Sequence, residues 1–233
     1  MAAPSIAAWA RAEPVSDIAR VGAAPAARAV PAGNGIRVDL QLIADMIAPG
    51  ARVLDIGCGD GTLLDYLVHF KQVDGRGIEL GQAGVNACVG RGLSVIQGDA
   101  DTDLRTYPAN AFDYVVLSQT LQATRDPKGV VQQLVRIGRR AVVSFPNFGH
   151  WRVRWHLLAQ GRMPTTAALP DSWHDTPNIH LCTIMDFVAL ARELDIAIER
   201  ALVIAASGRA HQIASHRLAN LMGEHGLFLL RRD

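Results

Sequence analysis

The sequence predicts an α/β fold: a doubly wound, mostly parallel sheet with helices on both faces and an antiparallel last strand. Three observations carry this. Short apolar runs alternate with helical patterns over most of the chain, as parallel strands joined by right-handed crossovers do. The first of those runs passes through a carboxylate into a glycine loop, Val53-Leu54-Asp55-Ile56-Gly57-Cys58-Gly59-Asp60-Gly61. The next three runs each end beside a polar or acidic residue, which lines the carboxyl edge of the sheet, where open α/β folds bind ligands.

Taken in order, residues 1 to 34 are rich in Ala, Pro, Gly and scattered Arg, with prolines at 4, 14, 25 and 31. Such a stretch buries too little apolar surface to offset its ordering entropy, so a disordered extension is expected there and a single domain from residue 35 to 233. From Arg37, the positions Val38, Leu40, Leu42, Ile43, Met46 and Ile47 make an amphipathic helix stopped by Pro49-Gly50. The first strand and its loop follow, then a helix from Thr62 to Phe70, a strand at Gly75–Leu80, and another at Leu93–Gln97. Phe112–Ser118 is apolar enough to be a strand buried on both faces. A helix from Pro127 to Gly138 leads to a fifth strand, Arg140–Phe145, closed by Pro146-Asn147. The rhythm breaks between Phe148 and Asn178, within an inserted segment spanning 148–180 that holds three of the four tryptophans (Trp151, Trp155, Trp173) beside several His and Arg. A helix at Thr183–Leu194 and strands at Ile196–Ala206 and Gly226–Arg232 complete the pattern.

The glycine loop carries the chemistry. Glycine at alternate positions lets the backbone turn with positive φ and come close to a ligand. A dinucleotide loop reads G-x-G-x-x-G and sets a pyrophosphate on a helix N-terminus; this one reads D-x-G-x-G-x-G. Carboxylates at Asp55 and Asp60 repel a pyrophosphate and suit a ligand with an ammonium and a sulfonium, namely S-adenosylmethionine. No G-K-[ST] ending follows, which excludes the nucleotide-triphosphate loop. Glu79, 18 residues after Gly61, ends the second strand, where a carboxylate can accept both ribose hydroxyls. Asp99, after the third strand, can accept the adenine N6 amine, and Ser118-Gln119 forms the rim of the fourth. The expected cofactor-binding set is therefore Asp55, Gly57, Cys58, Gly59, Gly61, Glu79, Leu80, Asp99, Ala100, Ser118 and Gln119, on a sheet of the class I methyltransferase type. The ligand is S-adenosylmethionine or S-adenosylhomocysteine.

Composition narrows the remaining classes. A net charge of +1, with no basic stripe, argues against nucleic acid as a partner. Arginine outnumbers lysine 21 to 2, which reads as genomic bias rather than a phosphate-binding design. The three cysteines, Cys58, Cys88 and Cys182, lack framework spacing, so a reducing cytoplasm is the expected compartment. No run approaches 18 apolar residues and no basic segment precedes an apolar core at the N-terminus, so neither a membrane span nor a secretory signal is expected.

Acceptor chemistry is thin. The N/D-P-P-Y/F motif of amide and amino-group methylases is absent after the fourth strand, where Ser118-Gln119-Thr120-Leu121-Gln122 stands. Phe145-Pro146-Asn147-Phe148 either faces an acceptor or forms a turn, and Gln119, Thr120 and His150 are weak candidates for an orienting group. No catalytic residue is assigned. His174, His180 and Cys182 match no tetrahedral zinc spacing, so no metal is expected. Cys58 sits where helix N-termini favour thiolates, but flanking carboxylates oppose ionisation, and a small residue filling the loop is the simpler role.

Four stretches go beyond the generic fold: Arg37-Val38-Asp39-Leu40-Gln41-Leu42-Ile43, Ser144-Phe145-Pro146-Asn147-Phe148-Gly149-His150-Trp151-Arg152, Asp175-Thr176-Pro177-Asn178-Ile179-His180-Leu181-Cys182-Thr183, and Leu227-Phe228-Leu229-Leu230. With the glycine loop, they make the chain resemble the methionine biosynthesis protein MetW family from about residue 36 to the C-terminus; the extension lies outside the resemblance. The resemblance implies a methyltransferase-like fold whose members work with MetX, a homoserine O-acyltransferase, and raise its activity. Two functions follow: an accessory, cofactor-sensing subunit of that acyltransferase in amino-acid biosynthesis, or, as the alternative, a methyltransferase acting on an unidentified small molecule.

Overall fold

The computed structural model describes residues 36–166 and 168–232; the expected disordered stretch, 1–34, lies outside the described residues. Helices and strands run in the order α1 (Val38–Met46), β1 (Arg52–Ile56), α2 (Thr62–Lys71), β2 (Asp74–Glu79), α3 (Gln82–Gly90), β3 (Ser94–Gln97), β4 (Phe112–Ser118) and α4 (Pro127–Ile137). They continue with β5 (Gly138–Pro146), α5 (Trp151–Gln160), α6 (Ile184–Glu193), β6 (Ile196–Ile204), β7 (Ala210–Gln212), α7 (His216–Met222) and β8 (His225–Arg232).

The strands form one sheet in the order β3-β2-β1-β4-β5-β8-β6-β7. From β3 to β5 all neighbours are parallel. β8 then inserts antiparallel between β5 and β6, with Ser144 opposite Leu227 and Leu202 opposite the same residue on the other side. The expected antiparallel last strand is therefore present. After β3 the chain crosses back to lay β4 against the other edge of β1. That reversal between β1 and β4 is the topological switch point, where a crevice opens at the carboxyl ends of the strands.

Strand alternation splits the core into two layers. Val115 and Leu117 of β4, with Ala141, Val143 and Phe145 of β5, pack on one face against Val130, Val131 and Leu134 of α4 and Phe187 of α6. Tyr114, Val116 and Val142 point the opposite way, toward Ile43 of α1 and Leu67 of α2. A period of two on a strand does this, and it requires an apolar partner on both faces. Phe145, Phe187 and Phe228 form a buried aromatic cluster with centroids 4.8–5.7 Å apart. At α4 and α6 the helix starts follow capping chemistry: the Asp126 side chain accepts from the Gly129 amide ahead of Pro127, and Thr183 with Asp186 forms a capping box.

The segment expected to break the rhythm does so only in part. Residues 151–160 fold as α5, entered at His150, whose side chain accepts from the Arg152 amide, and closed by Gly161 in the left-handed region (φ 63°). Despite its clustered Trp and Arg, the run at 151–160 contains no breaker and continues the strand-helix alternation. α3, β7 and α7 carry too few periodic apolar residues to stand out in the sequence. Among the described residues, no helix is long and apolar enough to cross a membrane.

Candidate functional site

The β1 loop adopts the conformation its glycines permit: φ is 68° at Gly57, 57° at Gly59 and 81° at Gly61. At Gly57 the need is also steric, because a Cβ would lie 2.5 Å from Thr120 Oγ1. At Gly59 the space a Cβ would enter is empty to 4 Å, so the loop's crest faces an opening. Backbone bonds from Gly57 and Cys58 to the Ile78 carbonyl, at 2.8 and 3.2 Å, hold the loop against β2.

Glu79 governs the next strand end. Its Oε2 accepts the Gly59 amide and its Oε1 the Gly81 amide, both at 2.8 Å. Each oxygen keeps a second lone pair for a ligand hydroxyl. The first turn of α3 presses on this pair, since a Cβ on Gly84 would meet Gly59 O at 2.7 Å and Glu79 Cγ at 2.8 Å. At the third strand end, Asp99 Oδ1 accepts the Asp101 amide at 2.9 Å. Asp101 in turn accepts the Arg125 and Asp126 amides at 2.9–3.0 Å, tying this loop to the one after β4.

These groups enclose a cleft of about 250 Å³ at the switch point, with Gly57, Glu79, Leu80, Asp99, Ala100 and Thr120 among its walls. Five of the eleven expected residues thus share one cleft: Gly57, Glu79, Leu80, Asp99 and Ala100. The other six fall outside its walls. Cys58 turns inward to within 3.8 Å of Cys88 Sγ, and burial raises its pKa further above the thiol range, which removes it as a nucleophile. Gly61 packs its α-carbon side toward Leu93 and Cys88. Ser118 Oγ pairs with Ser144 Oγ at 3.1 Å, and Gln119 reaches Asp39 Oδ2 at 2.9 Å. Asp60 binds Thr62 and Arg91 at the start of α2 rather than joining the cleft.

Asp55 is 2% exposed, and its carboxylate receives no hydrogen bond from a described residue. Burial first, and then the charge of Glu79, push its pKa up to about 7. A buried acid with no donor among the described residues, acted on by the charge of a second carboxylate at Glu79, is a site short of positive charge or donors. That is the character of a sulfonium or ammonium, so the residues present fit the ligand read from the sequence.

Three contributors escaped the sequence. Asp101 and Arg125 brace the cleft, and Arg37 pairs with Asp39 at 2.7 Å, positioning the acid that holds Gln119. The acid-dense Gly98-Asp99-Ala100-Asp101 could have signalled the first; the Asp39–Gln119 bond spans 80 residues and leaves no local trace. Elsewhere, burial raises the Cys182 pKa to about 11, its sulfur accepts Gln122 Nε2 at 3.2 Å, and His180 faces the Arg125 carbonyl. Among the described residues, no group of three or more His, Cys, Asp or Glu is placed to hold a metal.

Comparison with known proteins gives a match to the family described as methionine biosynthesis protein MetW over residues 37–230. A bifunctional methionine biosynthesis protein MetXA/MetW from Rhodopirellula baltica is 35% identical over 180 residues, which is 73% of this chain and 29% of that protein. The chain therefore spans less than a third of that relative's length. Among solved structures, a SAM-dependent methyltransferase from Thermotoga maritima superimposes with a TM-score of 0.61 at 14% identity, covering 84% of this chain and 88% of the other. The [4+2]-cyclase SpnF gives 0.59 at 19% identity, covering 83% and 80%. These neighbours establish a methyltransferase-type fold, and the cyclase among them shows that the fold alone does not specify a reaction.

Proposed function

Because this chain belongs to the methionine biosynthesis protein MetW family, we propose that it binds S-adenosylmethionine or S-adenosylhomocysteine and serves as the accessory partner of MetX, the homoserine O-acyltransferase. The observation that carries the reading is the bifunctional relative, whose name joins MetXA and MetW in one protein. A covalent link holds two modules at high effective concentration; separate chains need an interface of their own.

The α5 face supports such an interface. Trp151, Trp155 and Leu158 recur at helical spacing and are all exposed, and with Arg154 and Leu221 of α7 they line a shallow apolar groove. Trp and Arg are the residues most enriched at binding hot spots. On the cofactor side, Glu79 accepts the ribose hydroxyls, Asp99 the adenine amine, and Leu80 and Ala100 offer apolar surface to the base. Asp55 compensates the cationic end. When bound, S-adenosylmethionine supplies an activated methyl group; the accessory role requires only that it be recognised. Sensing a product downstream of methionine lets the pair respond to methionine supply.

The test is co-elution of the purified chain with MetX, together with the rate of homoserine acylation. Trp155→Glu is expected to abolish both association and stimulation while leaving S-adenosylhomocysteine binding intact. If the native chain neither associates nor alters the rate, the partner reading is wrong and the small-molecule methyltransferase reading takes its place.

A further inference from the structure

A second cavity, of about 260 Å³, opens beyond the end of β5 and shares no wall with the cofactor cleft. Val153 of α5 and Leu169 supply apolar surface. Thr166 and Leu169, both in its wall, exchange backbone hydrogen bonds at 2.8 and 3.1 Å.

Its ionisable groups are His150, Arg152 and Glu224, and Asn147, Thr165 and Thr166 add neutral polar wall. Arg152 and Glu224 both act electrostatically on His150, in opposite senses, which sets a positive and a negative charge around one buried imidazole. Neither forms an ion pair with a described residue; the Arg152 guanidinium lies 5.5 Å from the centre of the Trp151 ring. His150 is 4% exposed, and its Nδ1 accepts the Arg152 amide at 3.4 Å, which leaves the ring proton on Nε2. Burial lowers its pKa, so the imidazole is a neutral donor at pH 7.

We propose that this cavity binds a small α-amino acid as its zwitterion. The carboxylate is held by Arg152 and His150 Nε2–H, the ammonium by Glu224, and an uncharged side chain lies against Val153 and Leu169. A ligand of one charge leaves the opposite wall charge facing a mismatch, whereas a zwitterion satisfies both. The volume is below the roughly 300–1,000 Å³ of drug-sized pockets, as a single amino acid requires.

Titration calorimetry on the full chain tests this, with L-methionine as probe because its unbranched apolar side chain matches the wall. L-methioninamide lacks the carboxylate and N-acetyl-L-methionine lacks the ammonium, and each is expected to bind at least about tenfold more weakly, as the loss of a charged hydrogen bond implies. Arg152→Gln and Glu224→Gln are expected to weaken L-methionine binding by a similar factor with unchanged melting temperatures. The analogue series uses native protein, so misfolding of a variant does not decide it. The proposal is overturned if L-methionine gives no heat at millimolar concentration or if the half-charged analogues bind equally well. It is also overturned if neither substitution matters, or if saturating S-adenosylhomocysteine displaces the amino acid, which assigns the binding to the cofactor cleft. Absence of S-adenosylhomocysteine binding, by contrast, would count only against the cofactor reading.

Discussion

The Gly59 amide donates to Glu79 Oε2 at 2.8 Å, so the crest of the β1 loop and the acid at the end of β2 form one rigid unit before any ligand arrives. Preorganisation of this kind lowers the ordering cost of binding. In the proposed site Glu79 then has two tasks at once, the loop's shape and the ligand's hydroxyls.

Glu79→Ala is therefore expected to weaken S-adenosylhomocysteine binding by about 1.5–3 kcal/mol, the range for hydrogen bonds to a charged group. Glu79→Gln, which keeps an acceptor, should lose less. Calorimetry on both variants checks the order, and equal affinity in wild type and alanine variant would remove Glu79 from the site.

The raised pKa of Asp55, about 7 against 3.8 for the free side chain, makes a pH prediction. Between those values the folded state holds a proton that the unfolded chain releases, so the group's contribution to stability falls as pH rises through this window. A shift of this size corresponds to roughly 4 kcal/mol as an upper figure at about 1.36 kcal/mol per unit. Asp55→Asn should therefore be more stable than wild type at pH 8, with the difference shrinking at pH 5. Urea unfolding at both pH values measures this, and a pH-independent difference would refute it.

Two glycines of α3 should respond oppositely to alanine. At Gly90 a Cβ meets nothing within 4 Å, so Gly90→Ala should stabilise by about 0.4–1 kcal/mol through the unfolded state. At Gly84 it collides with Gly59 O and Glu79 Cγ, so Gly84→Ala should lower both the melting temperature and cofactor affinity. Melting curves of the pair decide, and a stabilised Gly84→Ala would show that the loop yields freely.

Asn147 is buried, and its amide serves four backbone groups: Nδ2 donates to the Asn220 and Gly223 carbonyls, and Oδ1 accepts from Gly149 and Ile184. Asn147→Ala strands all four. At roughly 1–3 kcal/mol per unsatisfied group, a loss above about 3 kcal/mol is expected in chemical denaturation. A loss below about 1 kcal/mol would mean that water replaces the amide.

The parallel strands and the polar residues at the ends of the first two were legible because their signals are local. Gly57 and Gly59 needed positive φ, β4 needed two apolar neighbours, and an acid had to close β2. The Asn147 turn was ambiguous for the opposite reason. Its partners at Gly149, Ile184, Asn220 and Gly223 are spread over 75 residues, and hydrogen bonds at such separations have no periodicity in the chain.

By itself, then, the sequence determined the parallel sheet, the glycine loop and the carboxylates that end its strands, since each follows from spacing and backbone sterics. Only the tertiary structure decided which residues share the cleft. It turned Cys58 inward to Cys88, gave Gln119 to Asp39, and left Asp55 buried with no donor among the described residues. It also gathered His150, Arg152 and Glu224 around one cavity. Side-chain direction and burial are set by what packs alongside, and those neighbours come from distant parts of the chain that only folding brings together.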